Sequence, residues 1–397
     1  MEKALSGIRV LDFTRMYGGP FCTMLMAEMG AEVIKVELPD GGDALRTTPP
    51  LIGGMESYPF ISVNRGKRSI TLNLRSHEGQ QIGRQLVSKC DVLVENFTPG
   101  IMDGLGLGYE SLKENNPHLI YASLSGFGHT GPYSSFVAFD LIIQAMGGLI
   151  SVNGHPDSPP TKVGPAIADF WGGMCAAVAI LTALQYRYRT GRGQFIDISH
   201  QDSIWVLSAL QSLPVYVLTG QEPKKLGNRV VEVTPFNIYP AKDGHIVICI
   251  VTVDQWQRFI KVIGREDLKD VEEYATQAER IKHVDNIDAI VEKWTKERTV
   301  EEMVEVFRDA DLPCGPVPTF SQVANDPQLA SREMQVEVEQ LISGKLKMPG
   351  SVFKMSETPG DPTQPAPFLG QHTHEVYSEL LGFSDKKIDE LKGNGVI

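Results

Sequence analysis

The sequence has no surplus of basic residues. Its 397 residues include 37 Lys and Arg against 49 Asp and Glu, which gives a formal net charge of −12. A protein that binds nucleic acid needs a basic stripe to neutralise the phosphate backbone, and this composition offers none. We therefore expect no nucleic-acid partner, and any anionic ligand must be held by local basic groups and helix ends.

Cysteine is scarce, and its spacing matches neither a disulfide framework nor a zinc site. The five cysteines are odd in number and widely separated, without a CxxC pair: Cys22, Cys90, Cys175, Cys249 and Cys314. Secreted disulfide scaffolds and zinc ribbons need paired, closely spaced cysteines. We expect reduced core cysteines, as is typical of a cytoplasmic protein.

Long hydrophobic runs are also lacking. The first residues carry no apolar signal-peptide core. The longest apolar stretches, near residues 174–184 and 203–218, are interrupted by polar residues or proline. We predict that both are too short to cross a bilayer, and we expect no membrane partner.

Several well-known catalytic motifs are missing. The glycines after the first strand do not form GxGxxG, and no P-loop, GxSxG or HExxH occurs. His372 and His374 are a weak metal candidate, but a spacing of one residue suits neither a helix face nor a zinc signature. We predict no metal site.

Short apolar strands alternate with helices in the first half of the chain. We predict strands near residues 8–13, 31–37, 68–74, 91–95, 119–124 and 194–199. This βα alternation predicts an α/β fold with a large, Rossmann-like, doubly wound sheet. Ligands of such sheets bind outside the carboxyl ends of the strands.

Polar residues follow several of these predicted strands. Arg15 and Arg75 each follow a strand, although each is equally consistent with a solvated surface charge. Residues 96–98 follow another strand, and we predict Thr98 as the N-cap and Pro99 as the first residue of the next helix. This helix start is a natural place for a phosphate or pantetheine group.

The character of the chain changes after residue 219. A polar linker leads to a hairpin signal at residues 242–244 and then to charged amphipathic helices. We predict a large domain at 1–219, a smaller α+β domain with its linker at 220–320, and a linker and return segment at 321–397 that completes the large domain.

Asp169 lies just before a long apolar run, residues 174–184. The run has strong helix formers and is followed by a basic turn and Gly191. The N-terminus of a helix favours negative charge, so we expect this carboxylate to be ionised at neutral pH. An ionised, fixed carboxylate can act as a nucleophile. From position alone, an ordinary N-cap is the alternative.

Eight segments of the chain resemble one known family. They are residues 7–13, 30–37, 64–69, 94–100, 125–128, 144–148, 168–169 and 189–194. The family is that of the class III CoA-transferases, which includes formyl-CoA:oxalate and carnitine CoA-transferases. The resemblance covers essentially the whole chain.

The resemblance implies an enzyme that moves coenzyme A from an acyl-CoA to a small carboxylic acid, with no tightly bound cofactor. It implies that Asp169 is the nucleophile, which forms a mixed anhydride and then an aspartyl–CoA thioester, and that two subunits interlock as a homodimer. The resemblance also implies a CoA-binding site, formed by the positions that match the family's site: Tyr17, Gly18, Leu72, Asn73, Leu74, Arg75, Asn96, Phe97, Thr98, Ala138, Phe139 and Asp140. We add Arg15 to the predicted CoA-binding residues because it is a cation that follows the first strand.

The sequence departs from the family pattern at two cations. Leu38 stands where some members have an arginine near the adenine, and Val137 where some have a lysine. The nucleotide end of CoA must then be held differently, by Arg15, Arg46 or Lys67.

Two alternative functions follow from the same residues. The α-methylacyl-CoA racemases of this superfamily have a histidine where Phe139 stands, and one base cannot readily move a proton between two faces of a carbon. His129 and His155 lie in the same region of the sequence, and either is an alternative proton carrier for a racemase. The second alternative is a non-catalytic acyl-CoA-binding protein.

Overall fold

The computed structural model describes residues 2–397, which form two compact units. The larger unit comprises the chain up to Leu149, Lys162–Gln221 and Pro327–Ile397. The smaller unit comprises Ile150–Thr161 and Glu222–Asp326.

The larger unit begins with alternating strands and helices. In chain order these are β1 (Arg9–Asp12), α1 (Gly18–Glu28), β2 (Glu32–Glu37), a 3₁₀ turn (Ala44–Thr47), β3 (Leu51–Ile52), β4 (Glu56–Ser57), α2 (Tyr58–Asn64), β5 (Arg68–Thr71), α3 (His77–Val87), β6 (Val92–Glu95), α4 (Ile101–Gly104), α5 (Tyr109–Lys113), β7 (Ile120–Ser125), α6 (Asp140–Met146), α7 (Leu149–Val152), α8 (Ile167–Thr190), β8 (Gln194–Ser199) and α9 (His200–Thr219). α7 crosses into the smaller unit.

Six of these strands form one parallel sheet in the order β5-β2-β1-β6-β7-β8. All six were predicted from the sequence, and the predicted α/β class with a parallel central sheet is confirmed. In chain order of these strands the arrangement is third, second, first, fourth, fifth, sixth, so the order reverses between β1 and β6. Ligands of such sheets bind at this reversal.

Helices cover both faces of the sheet. On one face, Leu11 and Leu93 pack with α3 and with Tyr377, which belongs to a helix near the end of the chain. On the other face, Val10 and Val92 pack with α1 and α8. Because both faces are buried, adjacent apolar residues of one strand pack on opposite faces, as Val10 and Leu11 do in β1.

The smaller unit is an α+β body with its own core. Its elements are β9 (Phe236–Pro240), β10 (His245–Cys249), α10 (Val253–Val262), 3₁₀ turns at Glu266–Asp270 and Glu272–Tyr274, α11 (Gln277–Lys282), α12 (Val284–Thr295), α13 (Val300–Asp309), β11 (Cys314–Pro316) and α14 (Phe320–Val323). The hairpin predicted at residues 242–244 joins β9 to β10. The third strand, β11, was not predicted.

Residues 150–161 differ from the predicted boundaries. They were assigned to the large domain, but they belong to the smaller unit. The amide of Gly227 donates to the carbonyl of Gly154 at 3.0 Å, and Lys225 Nζ donates to the carbonyl of Ser158 at 2.8 Å. These contacts are distant in sequence, so local patterns could not indicate them.

The last segment belongs to the larger unit. It contains α15 (Pro327–Ser331), β12 (Gln335–Gln340), β13 (Gly344–Pro349), α16 (Thr373–Leu381) and α17 (Asp385–Gly393). The β12–β13 hairpin and α17 were not predicted. The hydroxyl of Tyr377 donates to the carbonyl of Thr71 at 2.8 Å, which ties α16 to the edge strand β5.

One helix among residues 2–397, α8, is long and apolar enough to cross a membrane by length and composition. The prediction that this stretch is too short is therefore wrong, because the helix extends on both sides of the run at 174–184. Core helices of soluble proteins pass the same test. Here Ala176, Ala177 and Ile180 of α8 are buried against the sheet.

Candidate active site

A cavity of about 440 Å³ opens in the larger unit at the carboxyl ends of β1, β6 and β7, where α1, α6, α8 and α9 begin. It brings together these predicted site residues: Arg15, Tyr17, Gly18, Asn96, Phe97, Ala138, Phe139, Asp140 and Asp169. Residues that were not predicted complete the lining: Met16, Leu124, Ser125, Gly126, Leu141, Ile143, Lys162, Ala166 and His200.

Asp169 is the third residue of α8, within its first turn. The N-cap is Ala166, whose side chain makes no capping bond, so the N-cap interpretation of Asp169 is wrong. Throughout residues 2–397, no donor forms a hydrogen bond with the Asp169 carboxylate. Burial, and then the nearby negative charge of Asp140, raise the pKa of Asp169 to about 7.

This pKa corrects the expectation that Asp169 is fully ionised at neutral pH. The helix N-terminus does favour the anion, but loss of hydration and the charge of Asp140 outweigh it. The raised pKa leaves part of the Asp169 population protonated near neutrality. The ionised form is a more basic carboxylate than an exposed aspartate.

The loop between β1 and α1 forms one wall of the cavity. Its backbone is pinned by Asn96, whose Oδ1 accepts from the amide of Arg15 and whose Nδ2 donates to the carbonyl of Arg15, both at 2.8 Å. The side chain of Asn96 is therefore occupied by the protein. The Arg15 guanidinium lies 4.8 Å from the centre of the Phe97 ring.

A buried ion pair supports the same loop from beneath. Met16 has a φ of 62°, and its amide donates to Asp43 Oδ1 at 3.2 Å. Asp43 Oδ2 accepts from Lys35 Nζ at 3.0 Å, and both side chains are fully buried. Lys35 Nζ also donates to the carbonyl of Thr14 at 2.8 Å. The loop is held in a left-handed turn that a non-glycine residue adopts only when its surroundings enforce it.

Two of the cations considered for the nucleotide end of CoA are occupied within the protein. Arg46 pairs with both carboxylate oxygens of Glu37, each at 2.7 Å. Lys67 is fully buried and donates to Asp12 and Asn64, each at 2.9 Å. Neither residue lines the cavity, whereas Arg15 does, so Arg15 remains of the three.

Five predicted CoA-binding residues do not line the cavity. Leu72 lies in the core and Leu74 packs against it. Asn73 binds the end of the chain, because its amide donates to the carbonyl of Val396 at 2.7 Å. Arg75 is near Arg15: burial lowers the pKa of Arg15, and the charge of Arg75 lowers it further.

The fifth of these residues, Thr98, lines a separate pocket with Glu95 and His129. The helix predicted to begin at Thr98 and Pro99 instead begins at Ile101, and it is only four residues long. Gly100 is its N-cap with a φ of 91°. The predicted cap and helix start are therefore wrong.

The histidine that lines the cavity is His200, which was not predicted from the sequence. His129 instead contacts Ser123 Oγ through Nε2 at 2.7 Å, and His155 belongs to the smaller unit. His200 directly follows β8, so the rule that pointed to Arg15 and residues 96–98 also applied to it. Phe139 does line the cavity, and 66% of it is exposed.

Among residues 2–397, no group of three or more His, Cys, Asp and Glu side chains is arranged to hold a metal ion. The two histidines considered for metal binding have separate partners. His372 Nδ1 accepts from the amide of Ser69 at 3.1 Å. His374 Nε2 lies 2.9 Å from Asp385 Oδ1.

The raised pKa of Asp169 predicts a pH-dependent gain in stability for Asp169→Asn. When the pKa of an aspartate is higher in the folded state than in the unfolded state, the unfolded state ionises first. The free energy of unfolding therefore falls as the pH increases from the unfolded-state pKa to the folded-state pKa. The variant removes that cost, so its melting temperature should exceed that of the wild type more at about pH 8 than at about pH 5. Asp309→Asn, whose side chain is 80% exposed, is the matched control. An equal gain at both pH values would contradict the raised pKa.

The sequence profile of CoA-transferase family III matches residues 5–373. The chain is 36% identical to a formyl-CoA:oxalate CoA-transferase of Rhodopseudomonas palustris, over 100% of this chain and 98% of that protein. It is 39% identical to a succinyl-CoA:mesaconate CoA-transferase of Haloarcula marismortui, over 95% of this chain and 96% of that one. A crystal structure of a CAIB/BAIF family protein from Brucella suis superposes with a TM-score of 0.85 at 34% identity, covering 96% of this chain and 100% of the other. These matches confirm the resemblance read from the sequence: the chain is an enzyme of the CoA-transferase class and belongs to CoA-transferase family III.

Proposed function

We propose that this enzyme transfers coenzyme A between an acyl-CoA and a carboxylic acid through a covalent bond to Asp169. The observation that carries the proposal is the position of this carboxylate in the cavity at the sheet reversal, at the N-terminal turn of α8. Within residues 2–397 no hydrogen bond occupies its oxygens, so both remain available to attack a thioester carbonyl. The family to which the chain belongs supplies the reaction class.

The first half of the proposed reaction moves CoA onto the enzyme. An oxygen of Asp169 attacks the thioester carbonyl, the C–S bond breaks, and CoA leaves as the thiolate. The resulting mixed anhydride is then attacked by the thiolate at the Asp169 carbonyl carbon. The donor leaves as a free carboxylate, and Asp169 carries CoA as a thioester.

The second half repeats these steps with the acceptor. The acceptor carboxylate attacks the aspartyl thioester, and CoA leaves again as the thiolate. The thiolate attacks the acceptor carbonyl carbon of the new anhydride, which releases the product acyl-CoA and restores Asp169. No proton and no oxidant enters the balance, so the site needs a nucleophile and charge stabilisation rather than two bases.

The proposed CoA site extends from Asp169 towards the basic groups at the β1 end of the sheet. Arg15 lines the cavity and lies near Arg75. Two neighbouring guanidinium groups suit the phosphates of CoA, since arginine binds phosphate through paired donors. Tyr17, Phe97 and Ala138 then flank the pantetheine arm.

We further propose that the acids have a second carboxylate. The relatives named above act on oxalate, succinyl-CoA and mesaconate. Lys162 lines the cavity with Asp169, and its Nζ is held by the carbonyl of Gly164 at 2.8 Å. An ammonium fixed at this wall offers a charge partner to the distal carboxylate of a dicarboxylic acid.

The proposed assembly is a homodimer in the cytoplasm. From its seventh residue onwards, α9 exposes apolar side chains along one stripe, including Val206, Leu210, Leu213 and Val217. Leu210 is 74% exposed. Apolar patches of this kind mark protein interfaces on soluble proteins, and the resemblance to interlocked dimers makes a second copy of this chain the proposed partner.

Asp169→Asn should abolish CoA transfer while the protein still binds CoA. Loss of the nucleophile removes both covalent intermediates, so the rate should fall on the order of 10⁴-fold or more. Transfer is measured as exchange of CoA between an acyl-CoA and a free acid by mass spectrometry, and CoA binding by calorimetry. Asp309→Asn serves as the control. Retention of a tenth of the activity would refute the covalent role.

Lys162→Ala should weaken the use of dicarboxylic acids selectively. Losing the charge partner of the distal carboxylate should raise the KM for succinate about tenfold, while the KM for butyrate, which lacks the distal charge, stays within a factor of about two. Lys345→Ala, at an exposed position on β13, is the matched control. Equal effects on both acids would remove Lys162 from substrate recognition.

Sedimentation velocity at micromolar concentration should give twice the 43.7 kDa of one chain. Leu210→Glu places a charge in the proposed interface and should release monomer, because an unpaired carboxylate is costly to bury. An active wild-type monomer would contradict the dimer.

A further inference from the structure

In the described part of the chain, residues 2–397, the Asp169 carboxylate has no hydrogen-bond partner, so its position depends on the backbone that carries it. The peptide groups of Ala168, the residue before it, are contacted on both sides by side chains of other helices. Asp140 of α6 accepts from the amide of Ala168, with Oδ1 at 2.8 Å. His200 of α9 contacts the carbonyl of Ala168, with Nδ1 at 3.1 Å.

Asp140 replaces the missing N-cap of α8. The first amides of a helix have no partner within the helix, and the N-cap residue Ala166 has no side-chain acceptor. Asp140 Oδ1 accepts one of these amides from a different helix. Its other oxygen, Oδ2, accepts from Gln144 Nε2 at 2.7 Å, and Gln144 Oε1 accepts from the amide of Val163 at 2.9 Å. Gln144 is fully buried, which fixes the carboxylate in this orientation.

His200 is built into the same turn. It is 8% exposed, and burial lowers its pKa, so the imidazole is neutral. Since Nδ1 faces a carbonyl oxygen, Nδ1 carries the proton and donates. The ring occupies space left by two glycines: a Cβ on Gly172 would lie 2.0 Å from Nδ1, and a Cβ on Gly18 would lie 2.9 Å from Cε1.

We propose that Asp140 and His200 are positioning residues that clamp the Ala168 peptide and thereby fix the Asp169 carboxylate, and that the charge of Asp140 also sets the pH at which Asp169 becomes a nucleophile. The proposal rests on the proposed role of Asp169. It assigns Asp140 a role beyond contact with CoA, and it assigns His200 a role in this reaction.

The electrostatic part follows from the groups around Asp169. Those that face its cavity are Tyr17 at the start of α1, Asp140 on α6, Lys162 before α8 and His200 on α9, together with Arg15. His200 is neutral. A neighbouring negative charge favours the protonated form of a carboxyl, so Asp140 makes Asp169 more basic. The same Asp140 side chain also binds the first turn of α8, which carries Asp169.

Two pairs of variants separate the clamp from the charge. Asp140→Asn keeps an oxygen for the amide of Ala168 but removes the charge and the oxygen that accepts from Gln144 Nε2, whereas Asp140→Ala removes all three. His200→Asn places an amide donor near the position of Nδ1, whereas His200→Ala leaves the carbonyl of Ala168 without this donor. Gln201→Ala, at a residue that neighbours His200 but does not line the cavity, is the control.

The two alanine variants should lower kcat about 10–100-fold with little change in the KM for acyl-CoA, since the nucleophile is misplaced rather than the substrate lost. His200→Asn should restore most of kcat. Asp140→Asn should keep most of kcat at high pH and move the acidic limb of the pH profile down by about one unit. The combined Asp140→Ala and His200→Ala variant should lose little more than the worse single variant, because both break one clamp.

The Asp169 pKa is read independently by ¹³C NMR of labelled aspartate, assigned by comparison with Asp169→Asn, and thermal melting verifies folding. This reading needs no substrate, so it tests the electrostatic role of Asp140 even if Asp169 is not the nucleophile. An unchanged Asp169 pKa in Asp140→Asn would overturn the electrostatic role. Effects confined to KM, or wild-type kcat in folded His200→Ala, would overturn the clamp.

Discussion

The close crossing of α1 and α8 is the constraint on which the proposed site depends. A Cβ on Gly173 would lie 2.4 Å from the carbonyl oxygen of Gly18, a distance that real side chains do not tolerate. Only glycine at residue 173 lets the helices approach so closely. The crossing brings the first turn of α8, with Asp169, beside the loop that carries Tyr17. A Cβ on Gly18 would also lie 3.1 Å from the carbonyl of Asp169.

Buried charges support the other side of the same junction. Lys35 and Lys67 end in the interior near Asp12 and Asp43, and all four side chains are fully buried. Burial lowers the pKa of Lys67 to about 8 despite the charge of Asp12. Such pairs contribute little net stability, but removing one partner is strongly unfavourable. In this protein the buried ion pairs order the loop between β1 and α1, in which Met16 has a positive φ. Apolar side chains in their place could not form hydrogen bonds with the backbone of this loop.

Much of the architecture could be predicted from the sequence, because it depends on local pattern. The six sheet strands are short apolar runs between helices, and the rule for the carboxyl ends of strands led to Arg15 and Asn96 in the cavity wall. The β12–β13 hairpin and α17 were missed, although residues 335–339 alternate between polar and apolar positions. Their burial depends on contacts with segments far away in the chain.

The details of the site were less predictable, because they arise between elements. Desolvation and the charge of Asp140 raise the pKa of Asp169, and neither can be read from a helix start. The same holds for Lys67, a cation that the fold uses internally. His200 contacts Ala168 across 32 residues of sequence. The position of His200 directly after a strand could have identified it as a site residue, but its contact with Ala168 could not be predicted from the sequence.

The central claim is that Asp169 becomes covalently bonded to both acids and to CoA. It is tested most directly by isotope transfer from an acceptor acid labelled with ¹⁸O in its carboxylate. The wild-type enzyme, unlabelled acyl-CoA and this acid are incubated together, and the peptide that contains Asp169 is analysed by mass spectrometry. The mechanism predicts one ¹⁸O atom on Asp169 after a single turnover, because the acceptor leaves one oxygen on the aspartate. Product formation with no ¹⁸O on this residue would contradict the account.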